Sequence, residues 1–200
     1  MDGDFRYLPD GTLVVVVDAG TDTETIEVML VGDASETSYF VPDKYVRTDD
    51  ALVSLEKAIV VDRGQQNIAA FEKFYDKWYV ISYSLATTGK EGKYHAPTPL
   101  GYYYAIEKKE RFYYLKDGTS EVEGYGPYAI RFTAGAYIHG IATAYKYDAE
   151  GNRLDPGIHE FSDSIGTIPL SHKCVRNYTS HAKFLYDLYE HGKTIVIVIE

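Results

Sequence analysis

The chain has 200 residues, enough for one or two small domains with a real core, and 45% of them are hydrophobic, an ordinary globular share. Its formal net charge of −10 argues against nucleic acid, which needs a basic patch, and gives no general attraction to anionic polymers. A single cysteine excludes an intrachain disulfide, and the longest early apolar run, residues 13–17, is far short of the roughly 18 residues of a membrane span.

In chain order, the first fifty residues stand apart. Residues 11–18 and 24–31 are rich in Val, Ile and Thr and predict two strands, with residues 19–22 as the turn between them. The run Ser38-Tyr39-Phe40-Val41-Pro42-Asp43-Lys44-Tyr45-Val46 resembles the end of a bacterial SH3-like wall module; the plainer reading is a β extension packed on the rest. The polar stretch 47–50 marks a boundary, so a small β segment is expected over 1–50 and a main domain over 55–200. From there the chain predicts strand after strand, at 57–62, 66–71, 78–87, 101–106, 110–115, 129–133 and 136–139. Turns such as Asp62-Arg63-Gly64 and Lys116-Asp117-Gly118 separate them. Residues 145–165 are polar and turn-rich and predict an inserted hairpin or lid. One helix follows, with Ser180 as N-cap, Gly192 as C′ residue, and Ala182, Leu185, Leu188 and Tyr189 on one face. Asn177 is expected to cap it, and His181 and His191 to lie on its surface. Residues 194–199 are an unbroken apolar, β-branched run, the pattern of a strand buried on both faces. The 20 tyrosines suit a half-buried pleated surface, and a stacking groove for sugars or peptide is their alternative use.

The chemistry concentrates in Ser171-His172-Lys173-Cys174-Val175-Arg176-Asn177, which contains the only thiol, and in Ile138-His139-Gly140 upstream. One thiol with nearby imidazoles is the minimal kit for nucleophilic acyl transfer. A free thiol is only a few per cent ionised at neutral pH, so an imidazole has to take its proton and a third group has to orient that ring. The acyl oxygen then needs donors, and backbone N–H groups beside the nucleophile are the usual supply. A lone Cys is otherwise a small buried hydrophobe.

The wider pattern resembles the L,D-transpeptidases of the YkuD family. Their signature is Ser/Thr-His-Gly-Cys-apolar-Arg/Asn with an upstream Ile-His-Gly. Residues 57–62 with 65–71 look like the family's opening hairpin, and Leu85-Ala86-Thr87-Thr88-Gly89-Lys90 like its strand end. Thr98-Pro99-Leu100-Gly101-Tyr102-Tyr103-Tyr104 looks like its Thr-Pro segment, and Gly166-Thr167-Ile168-Pro169-Leu170 leads into Ser171. Residues 182–197 look like the closing helix and strand, so the resemblance spans about residues 55–200. It implies a mostly β fold, a β-sandwich or barrel with one or two helices. It also implies that Cys174 is the nucleophile and His139 the general base, oriented by the Gly140 carbonyl. The N–H groups of His172, Lys173 and Cys174 would form the oxyanion hole, and Ser171 and His172 would shape the pocket. Arg176 and Lys173 are candidates for a substrate carboxylate, and Tyr102 and Tyr104 for the donor groove.

The expected activity is ping-pong transfer from a peptidoglycan stem tetrapeptide. D-Ala leaves, a thioester forms, and a second stem's amine resolves it into a 3→3 cross-link. Water as acceptor would make the chain a carboxypeptidase or other cysteine amidohydrolase. Carbapenem β-lactams are expected covalent ligands. The family implies an exported protein of the cell wall, secreted or membrane-anchored, of which this chain is the ectodomain.

Two features depart from the family pattern. Lys173 stands where the motif has Gly, and if that position needs a left-handed backbone the replacement costs about 1–2 kcal/mol. Lys173 either damages the oxyanion pocket, leaving a weakened wall-binding module, or tunes the thiol and attracts a carboxylate. The second is the long 145–165 stretch between His139 and Ser171. No cofactor and no metal are expected: His159, Glu160 and Asp163 could contribute ligands, but no Cys-x-x-Cys or His-x-x-x-His pair exists.

Overall fold

Alternating apolar residues and frequent turn signals give a mostly β structure in a computed structural model that describes residues 6–19, 24–48, 52–160 and 162–200. Three strands, β1 (Val14–Asp18), β2 (Thr25–Leu30) and β3 (Ser38–Pro42), form an antiparallel sheet of their own. The turn expected over 19–22 falls almost wholly outside the described residues, as does half of the 47–50 boundary.

The main sheet follows. Its strands are β4 (Lys57–Asp62), β5 (Asn67–Phe74), β6 (Lys77–Thr87), β7 (Gly101–Tyr104), β8 (Glu107–Leu115), β9 (Val122–Thr133), β10 (Ala136–His139), β11 (Thr143–Tyr147), β12 (Arg153–His159), β13 (Val175–Asn177) and β14 (Thr194–Ile199). Their order is β12-β11-β9-β10-β13-β6-β5-β4-β14-β7, with β8 added on β9. The sheet folds over one core that includes Ile59, Ile68, Tyr103, Ile130, Phe132, Ile138, Val175 and Val196. Burying each such side chain contributes about 1.5–3 kcal/mol. The expected hairpin is β11–β12, which begins at Thr143, two residues before the 145–165 stretch, and turns at Asp148, whose carboxylate accepts from the N–H groups of Glu150 and Asn152.

Two parallel pairings matter most. β14 runs parallel to β4 and is buried along most of its length. β10 runs parallel to β13, with Ile138 opposite Val175 and His139 opposite Arg176. Parallel strands need a long crossover, and here it is everything between Gly140 and Cys174.

The helix α1 (Thr179–Leu188) turns Ala182 and Leu185 inward against the sheet. It begins one residue earlier than its predicted cap. Tyr178 holds the N-cap position without a side-chain bond, because the chain leaves β13 directly into the helix. Ser180 therefore lies inside the first turn. Gly192 keeps its left-handed backbone, φ 77°, but in a turn beyond the helix end at Tyr189. His191 lies past that end too, bonded to the hydroxyls of Tyr104 and Tyr189. His181 is half-buried, its Nε2 3.0 Å from Ser82 Oγ.

The N-terminal segment attaches along β7. Leu13 N–H donates to the Tyr102 carbonyl at 2.9 Å and Tyr104 N–H to the Gly11 carbonyl at 2.8 Å. The strand that carries the tyrosine triplet is thus hydrogen-bonded on both edges, by β14 on one side and by the N-terminal segment on the other.

Candidate active site

Side chains alternate across a strand, and paired residues of neighbouring strands project to the same side. Ile138 and Val175 point into the core. Tyr137, His139, Cys174 and Arg176 therefore share the opposite face of the β10–β13 pair. This register brings together a thiol and an imidazole that lie 35 residues apart (174 − 139).

His139 is 2% exposed, and its Nδ1 lies 2.6 Å from the Gly140 carbonyl oxygen. A carbonyl only accepts, so Nδ1 carries the proton and Nε2 presents the lone pair. Burial, reinforced by the Arg176 guanidinium, pushes the ring's pKa down to about 3. The ring is neutral over the physiological range. Its surroundings are aromatic: Phe112 lies tilted against it at 4.8 Å and stacks on Tyr137 at 4.5 Å. Phe112 reaches these rings across β9 at Gly126, its register partner. A Cβ on Gly126 would sit 2.3 Å from Phe112 and 2.6 Å from His139 Nδ1, so the gap is built into the strand.

Asn177 does not cap the helix. It is fully buried on the core side of β13, and its Nδ2 donates to the His139 carbonyl at 3.3 Å. Behind His139, the Gly140 N–H donates to the Pro127 carbonyl at 2.9 Å and the Ile141 N–H to Thr179 Oγ1 at 3.2 Å. The His139 segment is held from its own strand, from β9 and from the helix start.

Cys174 is 8% exposed, and its Sγ faces the Gly135 carbonyl at 3.8 Å. Burial pushes the thiol up, while the Tyr137 N–H, Arg176 and Lys173 act in the opposite sense. At rest both the thiol and the imidazole on this face are neutral.

The loop before Cys174 is fixed through four consecutive carbonyls. Ser171 O accepts from Lys90 N–H at 3.0 Å and His172 O from Ala96 N–H at 2.6 Å. Lys173 O accepts from Thr98 Oγ1 at 2.9 Å, and Cys174 O from the Ser171 hydroxyl. Thr88 O receives the N–H groups of both Leu170 and Ser171 at 3.0 Å. Thr88 itself is clamped by buried Gln66 from the β4–β5 turn, through its N–H at 2.9 Å and its hydroxyl at 2.8 Å. Gly89 lies under this loop, where a Cβ would come within 2.8 Å of Lys173 Cα.

Lys173 is not among the described non-glycine residues with positive φ, which are Glu36, Gln66, Tyr75 and Tyr128. The left-handed penalty therefore does not arise. Its ammonium crosses to the Ala134 carbonyl at 2.9 Å, bracing the β9–β10 turn that also supplies Gly135. His172 points to the rim, where its Nε2 meets Asp117 Oδ1 at 2.7 Å and its ring stacks on His95 at 4.0 Å. Burial, and then His172 itself, lower the pKa of His95.

Arg176 is buried opposite His139 rather than displayed on the rim. Tyr102 and Tyr104 are not brought to the thiol. They alternate with Tyr103, which points into the core, so they project from the outer side of β7. The Tyr102 ring lies where a Cβ of Gly32 would be, and the Tyr104 hydroxyl receives the Gly192 N–H at 3.0 Å. The aromatic residues at the site are Phe112 and Tyr137 instead. Mid-strand glycines in Gly124-Tyr125-Gly126 are the sequence signal that could have pointed to this close packing.

Comparison with known proteins fits this geometry. The family model of the YkuD L,D-transpeptidase catalytic domain matches residues 56–198. The L,D-transpeptidase LdtMt1 in complex with imipenem superposes with a TM-score of 0.54 at 16% identity, over 88% of this chain and 67% of that one. An L,D-transpeptidase from Mycobacterium smegmatis gives 0.53 at 21% identity, with the same coverage of 88% and 67%. L,D-transpeptidase 3 from Mycobacterium tuberculosis with a faropenem-derived adduct gives 0.52 at 15% identity, over 96% of this chain and 95% of that one. At these identities the likeness is one of fold. No curated protein sequence matches the chain. Since the family model covers most of its length, the chain belongs to the YkuD family of L,D-transpeptidase catalytic domains.

Proposed function

We propose that the chain is a peptidoglycan L,D-transpeptidase that forms 3→3 cross-links through a thioester on Cys174. The observation that carries this reading is the tautomer imposed on His139: with Nδ1–H committed to Gly140 O, only Nε2 is left to accept a proton, on the face that carries the thiol.

Sγ–H passes its proton to His139 Nε2 as sulfur attacks the carbonyl before the terminal D-Ala of a stem tetrapeptide. The developing oxyanion takes N–H groups of His172, Lys173 and Cys174, whose peptide planes are preset by the committed carbonyls of the loop. Collapse expels the D-Ala amine, which takes the proton back from His139, and leaves the thioester. A side-chain amine of a second stem attacks it, His139 accepts the amine proton, and as the amide forms that proton passes to the departing Cys174 sulfur, which restores the neutral thiol and imidazole. Lys173 and Arg176 make the field at the sulfur positive, which favours thiolate and a donor carboxylate alike. Ser171 and His172 hold the loop and its rim. Residues 55–200 are then the catalytic domain and 1–50 an accessory β segment of an exported wall enzyme. Carbapenems would acylate the same sulfur.

Intact-protein mass after mixing with a purified disaccharide-tetrapeptide tests the reading. The expected result is an added mass equal to the donor minus D-Ala, absent in Cys174→Ala. An unmodified protein with D-Ala retained on the donor would overturn it and favour a wall-binding module. Free tripeptide without cross-linked dimer would identify a carboxypeptidase.

A further inference from the structure

Three segments far apart in sequence meet at the rim of the thiol site. The loop after β6 brings His95, the tip of the β8–β9 hairpin brings Asp117, and the loop before β13 brings His172. One ligand atom from each lies within 4.8 Å of the other two. The imidazoles stack with a ring separation of 4.0 Å and an interplanar angle of 14°, and the carboxylate sits 2.7 Å from His172 Nε2. Their backbones are built to hold this arrangement. Ala96 N–H donates to His172 O at 2.6 Å, directly coupling the two histidine segments. The hairpin tip is closed by the Thr119 N–H to Lys116 O bond at 3.0 Å. Tyr94 lies against that tip, its hydroxyl 3.2 Å from where a Gly118 Cβ would stand.

We propose that His95, Asp117 and His172 form a binding site for a divalent transition metal of the zinc class, which fastens the hairpin tip to the loop carrying Cys174. Two imidazoles and one carboxylate are a donor set that suits zinc and leaves a fourth position for water. Calcium and magnesium would demand more oxygen ligands than the cluster offers. Zinc bonds to nitrogen and oxygen are about 2.0–2.2 Å, so tetrahedral ligand atoms stand roughly 3.3–3.5 Å apart. Around such an ion the widest donor pair, up to 4.8 Å apart, closes by about an ångström, the Asp117–His172 pair, at 2.7 Å, opens, and the two stacked rings tilt apart; all three side chains are exposed or half-exposed and free to do so. The metal gives the rim two arrangements: a hairpin tip held by one His–Asp bond, and a tip locked to both flanking loops. The locked form narrows the approach to the sulfur and slows acylation; this consequence alone rests on the function proposed above.

The test is calorimetric titration of zinc chloride into the full chain carrying Cys174→Ala, which removes the thiol as a competing ligand and cannot react. One equivalent is expected to bind saturably, and His95→Gln or Asp117→Asn in that background should weaken it at least tenfold. Cobalt(II) in place of zinc gives a second readout, visible absorption bands that both added substitutions abolish. Circular dichroism and cooperative unfolding establish that the variants are folded. No saturable binding in Cys174→Ala, or binding indifferent to His95→Gln and Asp117→Asn, overturns the proposal. Because the measurement needs no substrate, its result is separate from whether the chain transfers acyl groups.

Discussion

The two histidines around Cys174 live in opposite surroundings. His139 is sealed between β9, β10 and the helix start, its proton fixed on Nδ1 and its ring held neutral by burial. His172 stands at the rim, half-exposed, with a carboxylate and a second imidazole as neighbours. The same side chain is thus a sealed, neutral ring in one place and a half-exposed group beside a carboxylate in the other. What differs is the backbone: the interior ring is positioned by strand register, whereas the rim ring is positioned by loops stitched together through carbonyls.

That contrast can be broken most sharply at His139 itself. His139→Ala should lower the rate of Cys174 acylation by a carbapenem about 10²–10⁴-fold, the usual contribution of a positioned base, while the thiol remains present by mass. Lys173→Gly, a rim change that removes the brace to Ala134 and one of the two cations near the sulfur, should alter the same rate by less than about tenfold. Equal losses in the two variants would erase the distinction between interior and rim.

A second measurement asks whether the thiol is neutral at rest. With burial raising its pKa, alkylation of Cys174 by iodoacetamide should climb about tenfold per pH unit from neutral past the ordinary thiol range, with no plateau near pH 7. An early plateau would reveal a resting thiolate–imidazolium pair instead.

The smallest effect is on stability. The folded pKa of His139 is depressed to about 3, so the unfolded chain binds a proton that the folded chain refuses. Its contribution is complete above the unfolded value near 6.5 and is lost as pH falls from there toward 3. The slope is at most about 1.4 kcal/mol per pH unit for one group. Denaturant unfolding between pH 7 and 4 should show this slope flattened in His139→Ala, and an unchanged slope would place the acid sensitivity elsewhere.

Much of the framework was legible from residue pattern. Strands 57–62 and 136–139 coincide with β4 and β10, and the apolar run 194–199 is β14, because period-2 alternation and unbroken β-branched runs report local environment directly. β9 was foreseen only from residue 129. Its first half contains Gly124, Gly126 and Pro127, which read as breakers but here make room for Phe112 and for the carbonyl that receives Gly140 N–H. Asn177 read as a cap because of the helix that follows, yet its strand face turns it toward His139. The resemblance made Tyr102 and Tyr104 donor-groove candidates, whereas the core position of Tyr103 turns them to the outer face of β7, against the N-terminal segment and Gly192. The spacing rules for metal ligands look along the chain. His95, Asp117 and His172 are assembled by loop stitching and a hairpin tip, which no local pattern announces.

The parallel pairing of β10 with β13 also makes the placing of imidazole and thiol indifferent to the length of chain between them. The crossover between His139 and Cys174 carries the β11–β12 hairpin, whose far turn at 148–152 is exposed. Doubling a flexible loop adds only about 0.6 kcal/mol of closure entropy. That turn is the place where a lineage, or an engineer, can graft a wall-anchoring peptide or a reporter domain and leave the thiol and imidazole in register.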